Sequence, residues 1–367
     1  MPLFKNLSRR AFISTSGAVA AHSIAARINP LAQTVAKQST QKPVHPIPPP
    51  LAIPPGIQPI FKGQTARPLR YTPVDRDFVI VNGGEFFNRP LYGRNNDFRV
   101  DVGDRPEFSM YLPGHGGNLK FGVVTAAGAK WVADSEEVVS RYRSGRMIYE
   151  FKDRLIGQGS LRMEVLSDAA GLLVKVDLKG APKEARITWA YAGADGRKGG
   201  RGGDIGCESV PVSRFFQVRP QDCADNLYSM QTYTPSGGGP LPSSRLHSPA
   251  GDVLLVFPVG SHLAVVDFKS WSSDPIGEPK ATDVAPHLPM LTGAVEVDGS
   301  SLYVAAWRSG ALDDEAQADP AAQFERRSVE IAALAETLRA DTPDPYIDAA
   351  AAAFGPPADF LWDASAG

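Results

Sequence analysis

Apolar residues recur with a period of two along much of this chain, and that pattern limits what it can fold into. Between residues 71 and 310, short apolar runs are broken by Gly, Asn, Asp and Pro. Phe98, Val100 and Val102 share one face of a run, as do Phe108, Met110 and Leu112, and Leu172, Val174, Val176 and Leu178. Successive side chains of a strand point to opposite faces, so these runs read as strands. Further runs lie at Phe78–Val81, Leu119–Val124, Met147–Phe151, Leu161–Leu166, Ile187–Tyr191, Val253–Phe257, His262–Phe268, Val295–Val297 and Leu302–Trp307. More than ten strands over about 240 residues predict a large, mainly antiparallel β-sandwich. Asp298-Gly299 between two runs carries a two-residue hairpin signal. The 35 glycines and 32 prolines suit so many turns, and a 43% apolar content can fill the core.

The flanks differ from this body. Residues 1–35 read as an export signal: Lys5, Arg9 and Arg10 precede a weakly apolar stretch from Ala11 to Ala26, followed by small residues suited to cleavage. Ser8-Arg9-Arg10-Ala11-Phe12-Ile13 resembles the twin-arginine export motif. It places the mature protein in the periplasm or outside the cell. The apolar stretch is too short and polar to persist as a stable membrane span. Residues 36–70 read as a linker, because eight prolines between Pro43 and Pro59 exclude helix and central strand. After the sandwich at 71–310, Asp319-Pro320 starts a helix within a 311–340 segment, placing Phe324, Ser328, Ile331, Ala335 and Leu338 on one face, with charged residues such as Arg326, Arg327, Glu330 and Glu336 mostly elsewhere. A second start at Asp344-Pro345 opens a 341–367 segment, and Gly355-Pro356-Pro357 is expected to break that helix.

The net charge of −2, with no long basic run, argues against a nucleic-acid partner. Three polar stretches are candidates for chemistry. Asn82–Asn96 gathers Glu85, Asn88, Arg89, Tyr92 and Arg94 among glycines. Aromatic faces beside amide, guanidinium and carboxylate groups suit a sugar ring and its hydroxyls. Leu112–Leu119 carries His115 between glycines, a group able to act as acid or base near neutral pH. Gly193–Glu208 holds Asp204 and Glu208 in a Gly-rich loop that lacks the order of a phosphate-binding P-loop. Cys207 and Cys223 could close a bridge worth roughly 3 kcal/mol, or stand as two buried thiols. No metal site and no cofactor are expected.

These stretches resemble a bacterial family related to the six-hairpin glycosidases. The resembling residues are Phe87 to Gly93, Arg99-Val100, Gly103 to Phe108, Leu112 to Gly114, Gly116 to Leu119, Asp204 to Glu208 and Ser213 to Phe216. Near the end, Asp341 to Ile347 and Leu361 to Asp363 look like the opening of an α/α toroid. The resemblance covers about residues 70 to 367. It implies an N-terminal β-supersandwich followed by the toroid, and glycoside hydrolysis by an acid and a base carboxylate that come mostly from the toroid. Gly355-Pro356-Pro357 departs from that pattern, and the chain is expected to stop short of most of the toroid. Three readings follow: the sandwich part of a periplasmic glycoside hydrolase, inactive without the toroid; a non-catalytic carbohydrate-binding sandwich; or an assembly domain awaiting a partner. A polysaccharide lyase is a fourth, lesser reading.

Overall fold

A computed structural model of the chain describes residues 70–93, 98–168, 171–199, 212–282, 284–309 and 319–361. The expected signal and linker lie outside these residues, as do Arg94, Asp204, Cys207 and Glu208. Residues Leu69–Gly367 form one compact unit.

Eighteen strands are seen among the described residues: β1 (Thr72–Val74), β2 (Asp77–Val81), β3 (Arg89–Tyr92), β4 (Arg99–Val102), β5 (Glu107–Tyr111), β6 (His115–Thr125), β7 (Gly128–Trp131), β8 (Glu137–Arg143), β9 (Arg146–Lys152), β10 (Ser160–Ser167), β11 (Gly171–Lys179), β12 (Arg186–Ala192), β13 (Leu227–Tyr233), β14 (Leu241–His247), β15 (Val253–Val256), β16 (His262–Asp267), β17 (Pro289–Glu296) and β18 (Leu302–Arg308). They form a ten-stranded sheet, ordered β1-β2-β8-β9-β10-β11-β18-β15-β14-β13, and an eight-stranded sheet, ordered β16-β17-β12-β6-β5-β4-β3 with β7 beside β6. Neighbours pair antiparallel, as between β10 and β11 and between β12 and β6.

The alternation sends one face of each sheet into a shared core. Val100, Phe108, Leu119, Ile187 and Trp189 from the smaller sheet meet Tyr149, Met163, Val174 and Val304 from the larger one. The Phe108 and Tyr149 rings sit 5.8 Å apart. Burying a side chain of this size contributes about 2 kcal/mol. The Tyr149 hydroxyl donates to the Gly103 carbonyl at 2.7 Å, and the Tyr228 hydroxyl donates to the Tyr191 carbonyl at 3.0 Å, so both ties join the sheets.

Three sequence expectations are corrected. Asp298-Gly299 does not turn a hairpin: β17 lies in the smaller sheet and β18 in the larger. Both strands are buried and need partners on each side, which β12 and β16 supply to one, β11 and β15 to the other. Asp298 still caps its turn, accepting from the Ser300 amide at 2.9 Å. The second correction concerns the helices α1 (Val212–Phe215), α2 (Pro320–Ala335) and α3 (Pro345–Leu361). Gly355-Pro356-Pro357 does not break α3, which runs through it. Interior prolines cost a helix about 3 kcal/mol, and burial of Gly355 and Pro356 beside α2 and the β8–β9 turn offsets that cost. Third, Arg327 points inward rather than away from the packed face, while Leu338 lies beyond the helix and is exposed. The N-terminus of α2 is as expected: Asp319 accepts from the Ala321 and Ala322 amides at 2.7 and 3.2 Å. Among the described residues, no helix is long and apolar enough to cross a membrane.

Gly293 lies opposite Trp189 across β17 and β12. A Cβ there would come within 2.5 Å of the indole, which is fully buried and stacked on Phe257 at 4.9 Å. Gly293→Ala is expected to lower the unfolding free energy by about 1–3 kcal/mol, as overpacking does. Urea unfolding followed by circular dichroism checks this, and an unchanged midpoint would contradict it.

Candidate functional site

The outer face of the smaller sheet carries polar side chains, yet it is covered. Arg99 and Asp101 on β4, Glu107, Ser109 and Tyr111 on β5, and Asn118 and Lys120 on β6 share this face by register: Asp101 pairs with Ser109, Ser109 with Asn118, and Glu107 with Lys120. Asp101, Ser109, Asn118 and Lys120 are buried. Segments carrying Phe215-Phe216 and Phe268–Ser272 lie over them.

His115 opens β6 rather than sitting on a flexible loop, and it is fully buried. One ring nitrogen lies 3.1 Å from Asp195 and the other 3.1 Å from the Asn118 side-chain oxygen. The Asn118 amide donates to Glu107 at 2.7 Å and to the Phe216 carbonyl at 2.8 Å. Asp195 in turn holds Arg197 at 2.6 Å, and Arg197 reaches Asp222 at 2.9 Å and the Phe215 carbonyl at 2.6 Å. Arg219 closes the chain on Asp222 at 2.7 Å. With both nitrogens engaged and no exposure, His115 acts here as a structural pin that ties Asp195 and, through Asn118, Phe216 to the sheet.

His115, Asp195 and Asp222 each bring one potential ligand atom within 4.8 Å of the others. A guanidinium already lies against each carboxylate, so a cation would have to displace Arg197 and Arg219. The cluster therefore does not fit a metal.

Burial shifts several of these groups. It pushes the Asp101 carboxyl up to about 6, against the opposing pull of Arg99. It raises the Glu107 carboxyl, against the Asn118 hydrogen bond. It lowers Lys120 to about 8, despite Glu107. The Lys120 ammonium lies between the Trp131 and Trp271 rings, 3.9 and 4.3 Å from their centres, and donates to the Trp271 carbonyl. Burial also pushes Asp195 up, but hydrogen bonds from His115 and the Arg197 amide prevail and hold it near 2.

Toward the β3 edge this face opens to solvent. The Arg99 guanidinium stacks on the Tyr111 ring at 4.6 Å and lies 5.9 Å from Phe216. It donates through Nε to Asp101 at 2.9 Å. Tyr92 pairs with Arg99 across the strands, and Tyr92, Arg99 and Tyr111 are all half-buried.

The other sequence candidates divide. Tyr92 joins this patch. Asn88 and Arg89 sit elsewhere, around Tyr71: the Asn88 amide donates to the Tyr71 hydroxyl at 2.9 Å, and Arg89 stacks on the Tyr71 and Tyr142 rings at 4.4 and 5.3 Å. Glu85 is exposed, with its carboxylate 3.7 Å from Arg70. Its backbone and the Tyr71 hydroxyl are fastened to the buried Asp104. Cys223 is buried and makes no disulfide among the described residues, and burial pushes its thiol up to about 12; its expected partner Cys207 lies outside them. Sequence reading missed Arg99, Asp101, Glu107, Lys120 and Tyr111. Their signal was present: polar or charged side chains stand at alternate positions of these strands, opposite the apolar face.

A buried carboxyl raised to about 6 leaves a pH signature. The folded state holds the Asp101 proton at pH values where the unfolded chain, near 3.8, has released it. Stability therefore falls as pH rises from about 4 to about 6, and the loss is complete above that. Asp101→Asn is expected to flatten this slope in unfolding titrations across pH 4 to 7. A slope equal to wild type would show that another group causes it.

Residues 112–349 match the family model described as a domain of unknown function, DUF4450. The match takes in the His115, Asn118, Lys120, Asp195 and Asp222 network and begins just after the β3–β5 strands that carry Tyr92, Arg99, Asp101 and Tyr111. No curated protein matches the chain. The match spans more than half of the sequence, and the chain belongs to this family.

Proposed function

We propose that this DUF4450 protein is the sandwich part of an exported carbohydrate-active protein, binding oligosaccharide at the β3 edge of the smaller sheet and leaving catalysis to a partner domain or subunit. The observation that carries this is the half-exposed Arg99, stacked on Tyr111 beside Tyr92 and braced by Asp101. A sugar needs an aromatic face for its C–H side and fixed donors and acceptors for its hydroxyls. Among the described residues, Arg99 commits only Nε to a hydrogen bond, so the remaining guanidinium donors are available to a ligand. The covered network beneath makes the platform rigid, which lowers the ordering cost of binding.

A site with one raised carboxyl is half of what glycoside hydrolysis requires. The second carboxylate would come from the toroid that the resemblance implies, or from Asp204 or Glu208. On this reading the twin-arginine-like leader sends the folded protein to the periplasm, where its substrate class is found.

The test is a panel of neutral and acidic oligosaccharides offered to the full chain, with binding read by calorimetry and cleavage by reducing-end chromatography. Binding without cleavage is expected. Tyr111→Ala is expected to weaken binding by at least about tenfold, since stacking and cation–π contacts each contribute about 1 kcal/mol. Failure of every oligosaccharide to bind, or binding indifferent to Tyr111→Ala, would overturn the reading. Cleavage by the chain alone would remove the need for a partner and turn attention to Asp101, Asp204 and Glu208.

A further inference from the structure

A cleft of about 480 Å³ lies between two hairpin turns of the larger sheet and the helices α2 and α3. Arg76, Arg143, Ser144, Arg146, Ser328 and Ala352 are among the residues that line it. We propose that this cleft binds the oxyanion group of a small ligand: a carboxylate, or a sulfate or phosphate ester.

The first ground is unpartnered buried donors. Ser144 is 5% exposed and Arg146 9% exposed, and neither the Ser144 hydroxyl nor Arg146 Nε has a hydrogen-bond partner. A buried donor left without an acceptor is costly, and native proteins seldom keep one without a purpose. Both of these residues line one cleft, and a small shift of either side chain toward it would let an anion supply the acceptors they lack.

Charge is the second ground. Asp77 is shared by Arg141 at 3.1 Å and Arg143 at 2.8 Å. Glu164 is shared by Arg146 at 3.4 Å and Arg162. Each of these carboxylates thus faces two guanidiniums. Arg76 adds another that makes no ion pair among the described residues. The acidic rim groups, Asp75 and Glu336, are exposed, and Glu336 lies 3.8 Å from Arg339. Planar guanidinium forks match the paired oxygens of carboxylates and oxyanion esters.

Third is the backbone that presents Arg76. Val74 pairs with Asp77, so Asp75-Arg76 is a two-residue hairpin turn with φ of 50° and 69°. That turn selects Asn-Gly, because glycine takes the second left-handed position without strain. Arginine there is unfavourable for folding, and strain of this kind marks positions held for function.

The test uses the full chain at constant ionic strength with millimolar sulfate, phosphate or glucuronate, and glucose as the neutral control. Thermal unfolding reads binding, since a ligand of the folded state raises Tm. At least one anion is expected to raise Tm where glucose does not. A response to glucuronate alone assigns a carboxylate-bearing sugar, and a response to sulfate or phosphate alone assigns an ester. Arg76→Gln should weaken the responding anion about tenfold, the loss of one charge-assisted contact. Ser144→Ala should weaken it while leaving the ligand-free Tm equal or higher, because it removes an unpartnered buried hydroxyl. No anion response, or the same response in both variants, would overturn the proposal. Its outcome is independent of the oligosaccharide test, which reads Tyr111.

Discussion

A sheet covered on both faces must satisfy every polar group it buries, and this requirement organises the smaller sheet. One face is apolar and fills the sandwich core. The other holds Asp101, Ser109, Asn118, Lys120, Thr188 and Thr292, nearly all out of water. Covering segments return most of what water would have provided, though the Ser109 hydroxyl is left without a partner. The Asn118 amide donates to the Phe216 carbonyl, Lys120 to the Trp271 carbonyl, and the Thr188 hydroxyl to the Ile276 and Gly293 carbonyls. The segments 193–199, 214–226 and 268–277 are therefore a third layer, held by directed bonds as well as by packing. Each buried polar group met in this way stiffens the face, because in a low-dielectric interior a paired group is held strongly and an unpaired one is costly.

The larger sheet solves a similar problem with helices. Arg327 on α2 is 1% exposed, yet it is an arginine. It donates through Nε to the Ser167 carbonyl at 2.9 Å and pairs with Glu330 at 3.0 Å. Phe324 and Ile331 pack on either side of it against Leu173, Ala305 and Trp307. Gly145 then lets the β8–β9 turn approach: a Cβ there would meet Ile331 at 2.7 Å and Pro356 at 3.3 Å. The prolines that should end α3 thus become part of its packing surface.

These two arrangements explain what was legible in the sequence. Strands with period-two apolar residues, such as β10 and β11, were readable because one face enters the core. β13 and β14 were not. β13 is an edge strand whose Leu227, Ser229, Met230, Gln231 and Thr232 are exposed, and β14 carries a proline and two serines, so neither shows the pattern. The Asp298-Gly299 signal was real as a turn but silent about its destination, since a local turn cannot reveal that its flanking strands complete different sheets. Arg327 and His115 were misplaced for one reason. Polarity in a sequence predicts exposure on average, and a few fully paired groups reverse it. Of the candidate site, Tyr92 was found by its aromatic and charged neighbours, while Asp101 and Arg99 were hidden inside a strand that looked merely structural.

The arginines make the functional distinction sharper than exposure does. Arg197 spends its guanidinium on Asp195, Asp222 and the Phe215 carbonyl, and Arg219 closes on Asp222, so both are consumed in holding a loop. Arg143 gives three bonds to Asp77 alone. Arg99 gives one bond to Asp101, and Arg76 none among the described residues. A guanidinium whose donors are all taken contributes rigidity and can add little to recognition, since binding through it would first require breaking what it holds. One with donors to spare, kept in place by a stacked ring or by a strained turn, carries binding capacity at little reorganisation cost. Recognition in this fold is thus expected where saturated and unsaturated arginines adjoin: the first set fixes the platform and the second meets the ligand.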